Sequence, residues 1–215
     1  MPIVLGPADV FVVDGNSWTQ SRNGATPLPQ NVLNRLDAPA SVRFYDEAEG
    51  GIGMTQMLEV DHLRRVDAHC HEGSATWLLY WEGPHDLIEG HSPEETAERL
   101  KEYGRGRRAA GCKVITLTLL PAGTWAAYEA MRQTVNQIMR MSPSSYADIL
   151  VDPGADPLVG DPAAPFQGIY FDPIDRVHLT DAGSLRVATL VVGQERLPCP
   201  IPGARAVGSP TPGRP

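Results

Sequence analysis

Residues 11–19 read F-V-V-D-G-N-S-W-T. Together with Val10, the first three form a short, continuous apolar run that is typical of a strand buried on both faces of a parallel sheet. The turn-forming residues D-G-N at 14–16 end this run, and Ser17 follows at once. Open α/β sheets bind their ligands at the carboxyl ends of their strands. Ser17 is therefore a candidate nucleophile if a base can reach it.

An ordinary strand-to-helix turn, with Asn16 or Ser17 capping the helix, is the alternative interpretation of this segment, because both residue types are common at helix N-caps. A second segment favours the catalytic interpretation. Residues 175–180 read D-R-V-H-L-T, which places the carboxylate of Asp175 three residues before His178 at a predicted helix start. This pair supplies a base and a group to orient it.

Hydrophobic patterning predicts strands that alternate with helices along the chain. Such alternation indicates a parallel sheet with helices on both faces. The five predicted strands are residues 10–13, 41–45, 76–81, 113–120 and 146–151, and the main predicted helices are residues 30–36, 54–69, 92–110 and 124–141 and a last helix that begins at Thr180.

The size and composition of the chain suit one α/β domain followed by a tail. It has 215 residues, of which 42% are hydrophobic and 20% charged. We predict a domain over residues 1–195 and a Pro- and Gly-rich flexible tail over residues 196–215. A formal net charge of −8 argues against nucleic-acid binding. No apolar run approaches the ~20 residues of a membrane span.

The N-terminus lacks the basic and apolar regions of a signal peptide, which favours a cytoplasmic protein or one exported by another route. Three widely spaced cysteines, Cys70, Cys112 and Cys199, form no C-x-x-C motif, so we expect free thiols in a reducing compartment. His62, His69 and His71 invite a metal site, but their spacing does not bring all three to one helical face. We expect a solvated helix end and no metal.

Four short blocks, in order, resemble the SGNH (GDSL-like) hydrolase family over about residues 8–194. That family comprises esterases, lipases, thioesterases and carbohydrate deacetylases. The resemblance implies a flavodoxin-like three-layer α/β/α sandwich with a five-stranded parallel sheet. The blocks are G-N-S-W-T at 15–19, G-G-I-G-M-T at 50–55, G-P-H-D at 83–86 and D-R-V-H at 175–178.

The resemblance implies a catalytic triad of Ser17, His178 and Asp175, with Asp172 as a rival carboxylate. It also implies an oxyanion hole formed by Ser17, Gly50 (or its neighbour Gly51) and His85. His85 stands where the family has an asparagine. An imidazole still carries at least one N–H, so it can donate to an oxyanion, but this depends on its tautomer and on pH.

The activity implied is hydrolysis of a small-molecule acyl ester without a cofactor. Three alternatives stay open on the sequence alone: a catalytically decayed module that binds carbohydrate or protein, an acyltransferase on the same fold, and a flavodoxin-like electron carrier. The absence of P-loop and dinucleotide motifs argues against nucleotide binding. The lack of a long apolar lid segment favours small or polar substrates, and the oligomeric state is left open.

Overall fold

A computed structural model describes residues 3–20, 24–125 and 127–193. Its sheet has five strands, all parallel, in the order β2-β1-β3-β4-β5. The predicted α/β/α sandwich is therefore confirmed. The strands are β1 (Val10–Gly15), β2 (Arg43–Asp46), β3 (Thr76–Trp81), β4 (Lys113–Leu117) and β5 (Ile149–Val151).

Eight α-helices cover both sides of the sheet within the described residues. Two pairs of helices pack extensively against each other, α2 with α8 and α6 with α7. The helices are α1 (Ser17–Gln20), α2 (Leu28–Arg35), α3 (Met54–Met57), α4 (Val60–His69), α5 (Pro84–Ile88), α6 (Pro93–Ala109), α7 (Tyr128–Arg140) and α8 (Asp181–Val192). No helix among these residues has the length and apolar character needed to cross a membrane.

The two central strands, β1 and β3, are buried along their whole length, as their continuous apolar sequences predict. They also mark the point where the strand order reverses, since the chain runs outward from β1 to β2 and then returns to β3 on the other side of β1. Open α/β sheets bind ligands at such a switch point. The register pairs the last residue of β1, Gly15, with the last residue of β3, Trp81.

Gly15 is required at this position for two reasons. Its φ of +128° lies in a region that residues with a Cβ rarely adopt. A Cβ on Gly15 would also collide with the backbone carbonyl of Trp81 on the neighbouring strand. The glycine thus allows the chain to leave the sheet and turn directly into α1 at Ser17.

Sequence patterning located the elements better than it located their ends. The predicted helix over residues 54–69 is two helices, because Glu59 has an extended backbone (φ −67°, ψ 143°) and forms the N-cap of α4. The predicted strands 113–120 and 146–151 are shorter, since β4 ends at Leu117 and a 3₁₀ turn, Pro143–Ser145, leads toward β5. The predicted tail, residues 196–215, lies outside the described residues, and its boundary stays a prediction.

The expectation of free thiols is wrong for two of the cysteines. Cys70 and Cys112 are buried and form a disulfide that joins the end of α4 to the start of β4. They are 42 residues apart, and no local motif marks the pair, because only the folded sheet brings these two element ends together. Cys199 lies outside the described residues.

We predict that the disulfide stabilises the fold by restricting the unfolded chain. Replacing Cys70 and Cys112 with alanine should lower the free energy of unfolding by about 2–4 kcal/mol, measured by urea denaturation without reductant. Dithiothreitol should destabilise the wild type to a similar extent and leave the double variant unchanged. Equal stability of the oxidised wild type and the double variant would contradict this prediction.

A buried polar cluster lies beneath the β1 turn. The carboxylate of Asp14 is fully buried; it accepts the Gly15 N–H at 2.7 Å and the Tyr103 hydroxyl, and His62 Nε2 lies 2.8 Å from it. Arg65 lies 3.1 Å from the other ring nitrogen of His62. Because arginine can only donate, His62 Nδ1 accepts and Nε2 carries the proton toward Asp14.

His62 is therefore not at a solvated helix end, as the sequence had suggested, but is a buried partner of Asp14. Burial, together with the nearby Asp14 charge and its hydrogen bond, raises the pKa of Tyr103 well above its usual range. Tyr103 thus remains a neutral donor. The cluster satisfies the one carboxylate that the buried turn carries.

We expect Tyr103→Phe to lower the free energy of unfolding by about 1.5–3 kcal/mol, the usual value of a hydrogen bond to a charged group. The exposed His71 is the matched control, and His71→Ala should have little effect. Urea denaturation at pH 7 measures both. If Tyr103→Phe were as stable as the wild type, the Asp14 cluster would not contribute to stability as we infer.

Candidate active site

The short helix α1 presents Ser17 at the end of β1. Asn16 precedes the helix and its side-chain oxygen accepts the Trp18 N–H at 2.8 Å, which is the usual role of an N-cap residue. Ser17 begins the helix, so its N–H is among the first four that have no acceptor inside the helix. Ser17 as a whole residue is buried, with an exposed fraction of 7%.

The segment before α8 forms a tight turn that holds the D-R-V-H block at 175–178. Arg176 has a positive φ of 57°, so the chain bends sharply between Asp175 and His178. One oxygen of Asp175 accepts the Val177 and His178 N–H groups at 2.8 and 3.0 Å. The rival carboxylate, Asp172, accepts the N–H groups of residues 174 and 175 and so shapes the same turn.

Ser17, His178 and Asp175 form one chain of hydrogen bonds. His178 Nε2 lies 2.9 Å from Ser17 Oγ, and His178 Nδ1 lies 2.8 Å from Asp175 Oδ2. Burial acts to raise the pKa of Asp175, but the two backbone N–H groups and the His178 ring outweigh it and hold this pKa below its ordinary value. An ionised Asp175 accepts from Nδ1, which leaves Nε2 able to receive the Ser17 proton.

Trp18 connects the two halves of this arrangement. Its indole Nε1 donates to the Val177 carbonyl at 2.9 Å, and its ring packs on Trp81 of β3 with 5.0 Å between ring centroids. The helix that carries Ser17 is therefore bonded to the turn that carries His178. This bond has no signal in the sequence, because Trp18 and Val177 are distant in the chain.

The three residues open into a cavity of about 440 Å³. Much of its wall is apolar, and that part comprises Trp18, Pro84, Ile88, Trp125 and Val177. Its polar wall includes His85 and Asn16 beside the Ser17 group. Both predicted strand-end blocks, 15–19 and 83–86, thus reach the same cavity.

The glycine-rich block after β2 also reaches the cavity. Gly50 and Gly51 are the two candidate glycine donors to an oxyanion. Gly51 lines the cavity and has a positive φ of 93°, whereas Gly50 is not among the described residues that line it. Asp86, fully buried, fastens this block by accepting the Met54 N–H at 2.7 Å. Burial raises the pKa of Asp86 despite that bond and the Arg99 charge.

His85 is held from two sides. Its Nδ1 lies 3.1 Å from Glu82 Oε1 and 3.4 Å from Asn16 Nδ2. Glu82 follows β3 directly and is fully buried. The sequence interpretation missed Glu82, although its spacing of three residues before His85 was a usable signal.

Comparison with solved structures finds the same fold in proteins of low sequence identity. A putative SGNH hydrolase from Slackia heliotrinireducens is 20% identical, with a TM-score of 0.62 over 86% of this chain and 98% of that one. A member of the lipolytic G-D-S-L family from Veillonella parvula is 13% identical, with a TM-score of 0.64 over 86% and 97%. A Bacillus subtilis protein is 17% identical with a TM-score of 0.63, and the match spans 86% of this chain but only 55% of that protein.

The sequence matches no protein-family model, and no curated protein is significantly similar to it. The structural neighbours nevertheless agree with one another. The chain has the fold of the SGNH/GDSL-like hydrolases, as its four sequence blocks predict.

We expect Ser17 to be the residue that reacts with an alkyl fluorophosphonate probe, because its Oγ is within hydrogen-bond distance of a ring nitrogen that can remove its proton. Mass spectrometry should locate the label on Ser17, and Ser17→Ala should not be labelled. Ser144→Ala, at an exposed serine, is the matched control and should label as the wild type does. Labelling that persists in Ser17→Ala would exclude Ser17 as the nucleophile.

Proposed function

We propose that the protein is a serine esterase that hydrolyses an O-acyl ester through an acyl-enzyme intermediate. The observation that carries this proposal is the hydrogen-bond chain from Ser17 through His178 to Asp175 at the wall of a cavity. The fold supports it, because the structural neighbours include proteins described as SGNH hydrolases and lipolytic proteins. The neighbours support hydrolase activity in general, and the assignment of each residue is ours.

In the acylation step, Ser17 Oγ attacks the ester carbonyl carbon while its proton passes to His178 Nε2. A C–O bond forms, and the carbonyl π electrons move to oxygen. When this tetrahedral oxyanion collapses, the bond to the leaving alcohol breaks and the alcohol oxygen takes the proton from His178. Asp175 stabilises the imidazolium that exists between these two proton transfers.

In the deacylation step, water takes the position of the alcohol and gives a proton to His178 as it attacks the acyl carbon. The second tetrahedral oxyanion collapses with cleavage of the bond to Ser17 Oγ, which recovers its proton from His178. The products are the carboxylic acid and the free enzyme. Each proton transfer in this cycle is to or from His178.

The oxyanion needs donors that are in place before it forms. The N–H of Ser17, an N–H of the glycine pair at 50–51 and the ring of His85 are the candidates. The glycine that lines the cavity, Gly51, is the better placed of that pair. His85 would supply the donor for which an asparagine side chain is usual in the family that this chain resembles.

The cavity wall also supports a position for the acyl chain of the ester. The apolar side chains of Trp18, Ile88 and Trp125 provide a surface for an acyl chain. This surface favours acyl groups longer than the small or polar ones suggested by the sequence alone. We therefore expect butyrate esters to be better substrates than acetate esters.

The test is hydrolysis of p-nitrophenyl acetate and butyrate. Wild-type protein should release p-nitrophenol with a higher kcat/KM for the butyrate. Ser17→Ala should lose a factor of about 10⁶ in kcat, which is typical of a removed nucleophile. Asp175→Asn should lose a factor of about 10⁴, because the neutral amide no longer selects the useful His178 tautomer.

The control is Asp172→Asn, which removes the charge of the rival carboxylate but keeps an oxygen that can accept the N–H groups of residues 174 and 175. Its loss of activity should be much smaller than that of Asp175→Asn. Wild-type hydrolysis no faster than that of Ser17→Ala would refute the proposed function.

A further inference from the structure

Glu82 is a buried acid whose hydrogen bonds satisfy only one of its two carboxyl oxygens. It is fully buried at the end of β3, and its Oε2 has no hydrogen-bond partner among the described residues. Its Oε1 accepts the backbone N–H of His85 at 3.1 Å and lies 3.1 Å from the Nδ1 of the same residue. A carboxyl oxygen without a partner is costly to bury, so this side chain requires an explanation beyond packing.

The ring of His85 has only one nitrogen available to a substrate. Nδ1 faces Glu82 and Asn16. The orientation of the Asn16 amide is set by the Trp18 N–H, which its oxygen accepts, so the NH₂ end faces His85. Within the described residues Nε2 makes no hydrogen bond, and His85 lines the cavity together with Ser17 and His178.

Two proton arrangements of the Glu82–His85 pair have the same total charge. In one, an ionised Glu82 faces an imidazolium; in the other, a neutral carboxylic acid donates to Nδ1 of a neutral imidazole. In both arrangements Nε2 carries a proton. If the pair loses one proton, the ionised Glu82 carboxylate, 3.1 Å from Nδ1, outweighs the neutral Asn16 NH₂ group at 3.4 Å and holds the remaining proton at Nδ1. Nε2 then becomes an acceptor.

We propose that Glu82 is a positioning residue that shares a proton with His85 and thereby keeps Nε2–H of His85 available as an oxyanion donor. This inference rests on the proposed function, and it explains how a histidine can take the place of an asparagine. An amide always presents its N–H groups, whereas an imidazole needs a second proton source to guarantee one. The buried carboxyl of Glu82 supplies that source.

Several groups besides Glu82 act on His85. Asp86 lies on the same helix and Glu89 is the C-cap of that helix. Asn16 faces His85 from the β1 turn, and His178 and Asp175 line the same cavity. Burial lowers the pKa of His85, but Glu82 first, and then Glu89 and Asp86, raise it to a net value above the ordinary one.

The environment of Glu82 acts in the same direction. Burial raises the pKa of Glu82 in spite of the hydrogen bond and charge of His85. A raised pKa means that the shared proton is present at low pH and is lost as pH rises through that value. Activity should therefore fall on the basic side as the Nε2–H donor disappears.

The experiment combines pH profiles of kcat with ¹⁵N NMR of the histidine rings. In the wild type, kcat should fall at high pH, and the His85 Nε2 should lose its proton over the same range. Glu82→Gln should move both changes to lower pH. At pH 8 the kcat of Glu82→Gln should be lower than that of the wild type by a factor approaching the value of about 10²–10³ that follows removal of one oxyanion donor. KM should change little.

His85→Asn supplies an amide donor that does not titrate, so the pH profile of its kcat should lack the basic limb. In the His85→Asn background, Glu82→Gln should have no further effect on kcat. Glu89→Gln is the matched control: it removes an exposed acid that acts on His85 only at a distance, and it should move the basic limb far less than Glu82→Gln.

Glu82→Gln with a wild-type pH profile, or with an equal loss of kcat in the His85→Asn background, would overturn the proposal, because Glu82 would then be structural only. Complete absence of Ser17-dependent hydrolysis would instead refute the proposed function. The NMR titration of His85 needs no turnover, so it would still decide whether the pair shares a proton.

Discussion

The pairing of Gly15 with Trp81 at the carboxyl ends of β1 and β3 is the constraint on which the site depends. Because both strands end at the same level, the residues that follow them, Ser17 on one side and His85 on the other, enter one cavity. The close contact of Gly15 with the neighbouring backbone excludes any side chain at that position. The point at which β1 ends beside β3 is thus fixed by main-chain geometry alone.

Much of the fold could be predicted because its signals are local. Continuous apolar runs predicted β1 and β3, and Ser92, the first residue of the predicted helix 92–110, is the N-cap of α6. The D-R-V-H block at 175–178 was also local: its carboxylate bonds to the N–H groups and the ring of the same short turn. Residues that interact within one turn leave a recognisable spacing in the sequence.

The features that sequence reasoning missed join residues that are distant in the chain. The Cys70–Cys112 disulfide and the bond from His62 to Asp14 depend on which elements become neighbours. No hydrophobic period and no sequence motif indicates that these elements become neighbours. Glu82 is different, because its distance of three residues from His85 was visible, but its significance depends on burial, which the sequence alone did not show.

The bond from Trp18 to the Val177 carbonyl has a dynamic consequence. Loops move more than the sheet that supports them, and the turn before α8 carries His178 while α1 carries Ser17. Since the indole joins the two segments, a displacement of one is transmitted to the other. The separation of Ser17 Oγ and His178 Nε2 should therefore fluctuate less than the position of either atom relative to the sheet, and thermal motion of the turn would leave the hydrogen bond between them intact.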